Sequence, residues 1–258
     1  MNSVPPGPKG LDAVRNLIAM GRVDPLNFWI DAHANYGDVV RINLGVTAIW
    51  SFASPAGMQD VLVNQNKHLR KGIGYAGLRK LLGEGLITTD KEHWSAQRQR
   101  LNPVFTPSAI NASAGEIYDA CLVGTNEIRA LADRSGPVDV GHAMKRFTMR
   151  VVSKAIFGID LSDHHDAIVD AFDVAFAFVV EVSEKPLRAP LVIPTKQNRA
   201  FKRALATIDR FIAELIDESH AESDAGLHGR IRDALAANDR VRLRDEVISL
   251  YFAGFETT

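Results

Sequence analysis

The chain has 258 residues, 46% of them hydrophobic and 24% charged, a globular balance that excludes wholesale disorder. Lys+Arg 30 against Asp+Glu 31 leave a net charge of −1, with no basic surplus for nucleic acid. A single cysteine excludes a disulfide framework and any multi-cysteine zinc or iron–sulfur site. No apolar run approaches the roughly 18 residues of a membrane span. The greasiest segment, residues 167–182, contains Asp170, Asp173 and Glu181. The opening residues carry neither a charged n-region nor an apolar h-region, so the expectation is a soluble, cytoplasmic protein without a membrane anchor.

Residues 4–10 (Val-Pro-Pro-Gly-Pro-Lys-Gly) predict a stiff, extended leader. A helix is expected over 24–36, with Asp24 as N-cap, Pro25 in the first turn and Gly37 just past the end. Residues 39–44 and 47–52 flank Gly45-Val46 and read as a short β-hairpin. From Ser54 onward the periodicity is helical, interrupted at 72–77, 106–107, 135–137, 186–194 and 222–229. The predicted fold is therefore mainly α with a small N-terminal β-sheet, with no linker that would divide it.

Gly72-x-Gly74-x-x-Gly77 matches the dinucleotide fingerprint as text. That chemistry needs the glycines at a strand-to-helix turn, where pyrophosphate meets helix N–H groups. Polar residues precede these glycines and no βαβ pattern follows, so a flexible loop is the better reading.

Thr89-Asp-Lys-Glu92 has capping-box spacing, with Asp90 adding negative charge to the first turn of a helix that Pro103 stops after Leu101. Trp94, Arg98 and Leu101 fall on one face of it. An arginine on such a stripe needs an anion. With the indole N–H one turn away it could grip a planar carboxylate; alternatively it snorkels to water or pairs with an internal acid. His93 lies on a neighbouring face.

After Glu246 the last segment is apolar on nearly every face, the mark of a helix surrounded by protein. Glu256 continues the row of Ile248 and Phe252, where burial would raise its pKa and suit it to proton delivery. Thr257 adds a hydroxyl, and Gly254 removes a side chain where a groove or kink could bring a ligand to the backbone. The alternative is a solvated helix end. Because the segment closes on an acid and two threonines without a stop signal, the helix is expected to continue beyond Thr258.

These residues resemble the cytochrome P450 haem-thiolate monooxygenases. Ala253-Gly-Phe-Glu-Thr-Thr258 is similar to that family's central-helix signature [AG]-G-x-[DE]-T-[TS], and Trp94-Ser-Ala-Gln-Arg98 to its W-x-x-x-R helix. Residues 4–10 resemble its proline-rich hinge, and residues 81–89 the stretch before the W-x-x-x-R helix. The resemblance implies haem b (iron protoporphyrin IX) with Trp94 and Arg98 on its propionates, and Ala253 and Gly254 against the cofactor at the oxygen groove. It implies Glu256 and Thr257 as the acid–alcohol pair relaying protons to dioxygen. The Gly72–Gly77 loop and residues 172–182 would line a pocket for a hydrophobic small molecule, with 186–194 near its entrance. The implied partners are O2 and an electron donor such as a ferredoxin or flavin reductase, with Arg100 among the basic residues that could meet it.

The chain would then be the N-terminal portion of a single P450 domain: a leader over 1–23, a first helix, hairpin and helix over 24–65, and a helical part over 66–258. The E-x-x-R pair and the loop bearing the axial cysteine are not among these residues, so no metal ligand is assigned. Cys121 lacks that loop's Phe and Gly signature and sits in a predicted helix, where it reads as a structural or free thiol. By itself the chain is expected to be inactive. The competing readings are a non-enzymatic helical module that binds haem or an apolar ligand and, further off, a nucleotide-binding enzyme.

Overall fold

The computed structural model describes residues 4–8, 18, 25–44, 47–133, 136–159, 165–184, 189–219, 231, 233–234 and 240–257. Among them the fold is mainly helical with one two-stranded antiparallel sheet. The expected N-cap Asp24, the hairpin tip Gly45-Val46 and the break at 222–229 lie outside the described residues, as do parts of the breaks at 135–137 and 186–194. The chain divides into two compact units, residues 1–70 and 71–258.

In the first unit, helix α1 (Pro25–Tyr36) precedes strands β1 (Val39–Asn43) and β2 (Ala48–Phe52). The register pairs Val40 with Ser51 and Ile42 with Ile49. Period-two alternation turns Val40 and Ile42 inward, where they are fully buried with Ala32 beneath Phe28 and Trp29. His33 Nδ1 donates to the Gly37 carbonyl (2.9 Å), leaving Nε2 to accept from Ser51 Oγ (2.8 Å) and tie α1 to β2. The Pro6 carbonyl accepts from the Arg41 N–H at 2.9 Å, so the extended leader runs beside β1. A short helix, α2 (Pro55–Gln59), is N-capped by Ser54 and runs into a π-turn over Asp60–Asn64.

The second unit holds α3 (Tyr75–Leu82), α4 (Lys91–Leu101), α5 (Pro107–Ala112), α6 (Ala114–Ala132) and α7 (Val140–Phe157). It continues with α8 (His165–Glu184), α9 (Lys196–Ser219) and α10 (Arg240–Glu256). Helices α8 and α9 pack as neighbours, with the Phe178 and Phe201 rings stacked 3.9 Å apart. Helix α10 is the spine. Every residue from Asp245 to Phe252 is buried, which fits a segment apolar on nearly every face.

Tyr251 is at the centre of the core. Its ring lies 5.2 Å from Phe211, 5.7 Å from Phe172 and 6.3 Å from both Phe157 and Phe255. Its hydroxyl accepts from Ser153 Oγ at 3.3 Å, and burial pushes the phenol pKa far up, so the group stays neutral. Tyr251→Ala is expected to cost about 4 kcal/mol, the range for truncating a buried aromatic. Tyr251→Phe, which loses only one neutral hydrogen bond, costs about 1 kcal/mol. Urea unfolding midpoints of the two variants check this; equal losses would place the weight on the hydroxyl instead of the ring.

Candidate functional site

The turn between α3 and α4 sets up one half of the site. Gly83 ends α3 at φ 62°, a left-handed conformation natural to glycine. Thr88, 1% exposed, points its Oγ1 at the Gly83 and Gly85 carbonyls (2.6 and 3.1 Å) and folds the turn on itself. Two adjacent acids of α10 hold the turn from below. Asp245 Oδ2 accepts from the Glu84 N–H (2.8 Å), and Glu246 Oε2 from the Leu86 N–H (3.1 Å). A Cβ on Gly85 would meet the Asp245 carbonyl oxygen at 2.2 Å, so only glycine allows this approach.

Asp245 is in turn gripped by Arg244, whose Nη1 lies 2.9 Å away and whose other nitrogens reach Asp209. Burial raises the Glu246 carboxyl above the usual glutamate range; the Leu86 N–H opposes the shift, Asp245 adds to it and Arg100 opposes it.

The capping box expected at Thr89-x-x-Glu92 is not formed. Asp90 is the N-cap residue but caps nothing with its side chain. Its carboxylate instead accepts from the Lys71 N–H at 3.0 and 3.2 Å. Lys71 Nζ donates to the Thr89 carbonyl (2.5 Å) and the Leu86 carbonyl (3.3 Å). Burial lowers the Lys71 pKa, against the pull of Asp90 and with that of Arg79. Thr89 Oγ1 lies between Gln97 Oε1 (2.5 Å) and the Gly85 carbonyl (3.0 Å), and Gln97 Nε2 donates to the Glu84 carbonyl (3.0 Å). Local capping chemistry has been diverted into tertiary ties.

On α4 the structure brings Trp94 and Arg98 together. The guanidinium carbon lies 5.3 Å from the indole ring centre, a cation–π contact one turn long. Trp94 is half-buried, Arg98 exposed and Leu101 buried. Among the described residues no carboxylate pairs with Arg98, so the internal ion pair that its position allowed is not made. His93 and Arg100, on the adjoining face, line a cavity of about 90 Å³ together with Arg242 and Glu246.

The other half is the C-terminal turn of α10. Phe255 is buried, Glu256 half-buried, and Ala253 and Thr257 exposed on one side. Thr257 Oγ1 donates to the Ala253 carbonyl at 2.5 Å. A Cβ on Gly254 would lie 2.9 Å from Val152 Cγ2, so this glycine lets α10 close on α7. Burial pushes the Glu256 carboxyl up, Lys145 draws it down and Asp173 pushes it up again; Lys145 and Asp173 are themselves ion-paired. Phe172 and Phe178, expected beside a substrate, are packed in the core. The loop expected over 72–77 is shorter than that, because α3 begins at Tyr75: Gly72 and Gly74 have open space where a side chain would project, whereas Gly77 is buried inside α3 and pressed on the Val179 carbonyl of α8 (2.9 Å to a built Cβ).

No hydrogen bond or ring contact among the described residues joins the Trp94–Arg98 pair to the Glu256–Thr257 pair. Neither the 90 Å³ cavity nor a second one of about 420 Å³ beside His142, Arg146 and Asp166 is lined by any of the six site residues. Cys121 is half-buried on α6. Among the described residues no group of three metal-ligating side chains gathers, and no helix is long and apolar enough to cross a membrane. The residues that the sequence reading missed are Asp245, Glu246, Thr88 and Gln97. The one local signal was an adjacent pair of acids where the helix passes from its arginine-rich first turns to its apolar stretch.

Comparison with known proteins places these motifs in context. The sequence model of the family described as Cytochrome P450 matches residues 5–258. Cyclooctatin synthase of Streptomyces melanosporofaciens is 31% identical over 97% of this chain and 55% of its own length. Cyclooctat-9-en-7-ol 5-monooxygenase of the same organism is 28% identical over 91% of this chain and 51% of its own. Cytochrome P450 monooxygenase fsdH of Fusarium heterosporum is 26% identical, with 89% and 43% covered. The chain spans about half the length of the curated relatives it matches.

The raised pKa of Glu246 has a sign. Between the unfolded and folded pKa values the folded state holds a proton that the unfolded chain has released, so this group's contribution to stability is full below the unfolded pKa and is lost as pH rises through the folded pKa. Glu246→Gln, which keeps an acceptor for Leu86 without the charge, is expected to flatten that decline between acid and neutral pH. Glu246→Ala leaves the Leu86 N–H unsatisfied and costs about 2 kcal/mol. Urea midpoints across pH, taken as differences from the parent chain, separate the two.

Proposed function

Because the chain belongs to the cytochrome P450 family, we propose that it contributes the distal wall and the propionate contacts of a haem-dependent monooxygenase that oxidises an apolar small molecule. The observation that carries this reading is Arg98. A cation stacked on Trp94 and exposed, with no internal carboxylate as partner among the described residues, suits an external planar anion. Haem propionates are such anions, and the indole N–H one turn away adds a second donor. The residues present therefore fit the group's periphery. The thiolate that would ligate its iron is not assigned to any residue here.

Haem ligated by a thiolate would supply dioxygen activation, one oxygen atom entering the substrate and the other becoming water with two electrons from a donor and two protons. The chain's own residues supply positions and protons. Thr257 shares the exposed edge of α10 with Ala253, and its hydroxyl, braced on the Ala253 carbonyl, can pass a proton at Oγ1. Glu256 stands one residue earlier, and its raised pKa lets it hold a proton nearer neutral pH than an ordinary glutamate. Gly254 lets α10 close on α7, so that the backbone of this turn can lie against the oxygen groove. Ala253 presents a small side chain to the cofactor.

The reading further assigns a cytoplasmic setting, O2 as co-substrate, and an electron donor such as a ferredoxin or flavin reductase. Two relatives carry names built on cyclooctat compounds, which agrees with an apolar substrate.

The test is made in the haem-loaded enzyme. Thr257→Ala is expected to divert electrons from product to hydrogen peroxide, read as peroxide formed per electron consumed. Unchanged coupling would remove Thr257 from the proton path.

A further inference from the structure

We propose that Asp245 and Glu246 are positioning residues for Trp94 and Arg98, acting at a distance through the turn 83–89 and Gln97. The inference rests on the reading of Trp94 and Arg98 as propionate contacts, and concerns what holds them in place.

Helix α4 is poorly equipped to place itself. Its only buried residue is Leu101, at the end remote from Trp94. Thr106 and Asp139 cap α5 and α7 with their own side chains, but the N-cap of α4 makes no such bond. Its first residue, Lys91, has φ 51°, a left-handed conformation that a non-glycine side chain disfavours and that surrounding structure must impose. The N-terminal two turns, which carry both functional side chains, are thus held by polar ties to neighbouring chain and not by core packing.

Those ties run back to α10. Asp245 accepts from the Glu84 N–H, and the carbonyl of the same residue accepts from Gln97 Nε2, one position before Arg98 and three after Trp94. Glu246 accepts from the Leu86 N–H, while Thr89 Oγ1 donates its one proton to Gln97 Oε1, the nearer of two acceptors, beside the Gly85 carbonyl. Both carboxylates are at least nine-tenths buried, Asp245 at 7% and Glu246 at 5% exposure, so each bond is made away from competing water. Gly83 and Gly85 press the turn so closely on α10 that a Cβ at either would overlap Asp245. The seat has little slack. A shift of the turn moves Gln97, and with it the face of α4 that presents the indole and the guanidinium.

The experiment titrates the apo form of the haem enzyme that contains these residues with hemin, followed by absorbance, at a temperature where circular dichroism shows each variant folded. Arg98→Ala is expected to weaken binding about tenfold, the worth of one charge-assisted hydrogen bond. Glu246→Ala is expected to weaken it by a similar factor and Glu246→Gln to restore it. Added to the double variant Trp94→Ala/Arg98→Ala, Glu246→Ala is expected to weaken binding no further, because Glu246 acts only through the pair.

Should Glu246→Ala fail to fold, Gln97→Ala cuts the same chain of bonds while leaving α10 intact, and must likewise add nothing to Trp94→Ala/Arg98→Ala. Losses that multiply in the triple variant, or a Glu246→Ala chain (Gln97→Ala where that does not fold) with parental affinity, overturn the positioning role while leaving the propionate reading standing. Parental affinity in Arg98→Ala overturns the propionate reading, and the inference with it.

Discussion

The constraint on which this structure depends is the burial of two adjacent carboxylates in its central helix. An acid taken out of water is costly unless donors surround it. Asp245 and Glu246 meet that condition by accepting backbone N–H groups from a turn 160 and 161 residues earlier in the chain, with Arg244 completing the set around Asp245. The turn needs the acids as much as the acids need the turn. Its amides would otherwise be unsatisfied, and its glycines leave no space for any other arrangement. The geometry of the α3–α4 connection, and hence of α4, follows from this mutual requirement.

Helix α10 consequently has two ends with different work. Its N-terminal half is structural: the acid pair fixes a distant turn, and Tyr251 gathers four aromatic rings in the core. Its C-terminal turn is left open on one edge, where Ala253 and Thr257 face outward, while Phe255 anchors the opposite edge and Gly254 admits Val152. A rigid buried stem that ends in an exposed acid–alcohol turn suits chemistry needing a fixed proton donor. The Lys145–Asp173 pair beside Glu256 acts on that carboxyl from both sides, Lys145 drawing its pKa down and Asp173 pushing it up.

Local pattern made much of this legible. Helical periodicity, the proline and glycine punctuation and the hairpin around residues 45–46 sufficed for a mainly α fold with a small sheet, because each depends on neighbours a few residues apart. The i, i+4 spacing of Trp94 and Arg98 put them on one face, and the all-round apolarity after Glu246 marked a buried helix. The failures share a cause. Thr89 and Glu92 had the spacing of a capping box, yet Thr89 Oγ1 turns to Gln97 and the carboxylate of the N-cap residue Asp90 to the Lys71 N–H, partners which no local rule contains. The resemblance made residues 172–182 pocket wall, but Phe172 and Phe178 are packed in the core, since an aromatic stripe does not say what lies opposite. The acid pair drew no reading of its own from the sequence, because the N–H groups that satisfy it lie in another part of the chain.

The central claim, that buried carboxylates hold the turn, is tested most directly by amide hydrogen exchange at Glu84 and Leu86. The account predicts protection at these two loop amides comparable to that of the α10 core, lost at Leu86 in Glu246→Ala and at Glu84 in Asp245→Ala. Exchange at the rate of an open loop in the parent chain would contradict it.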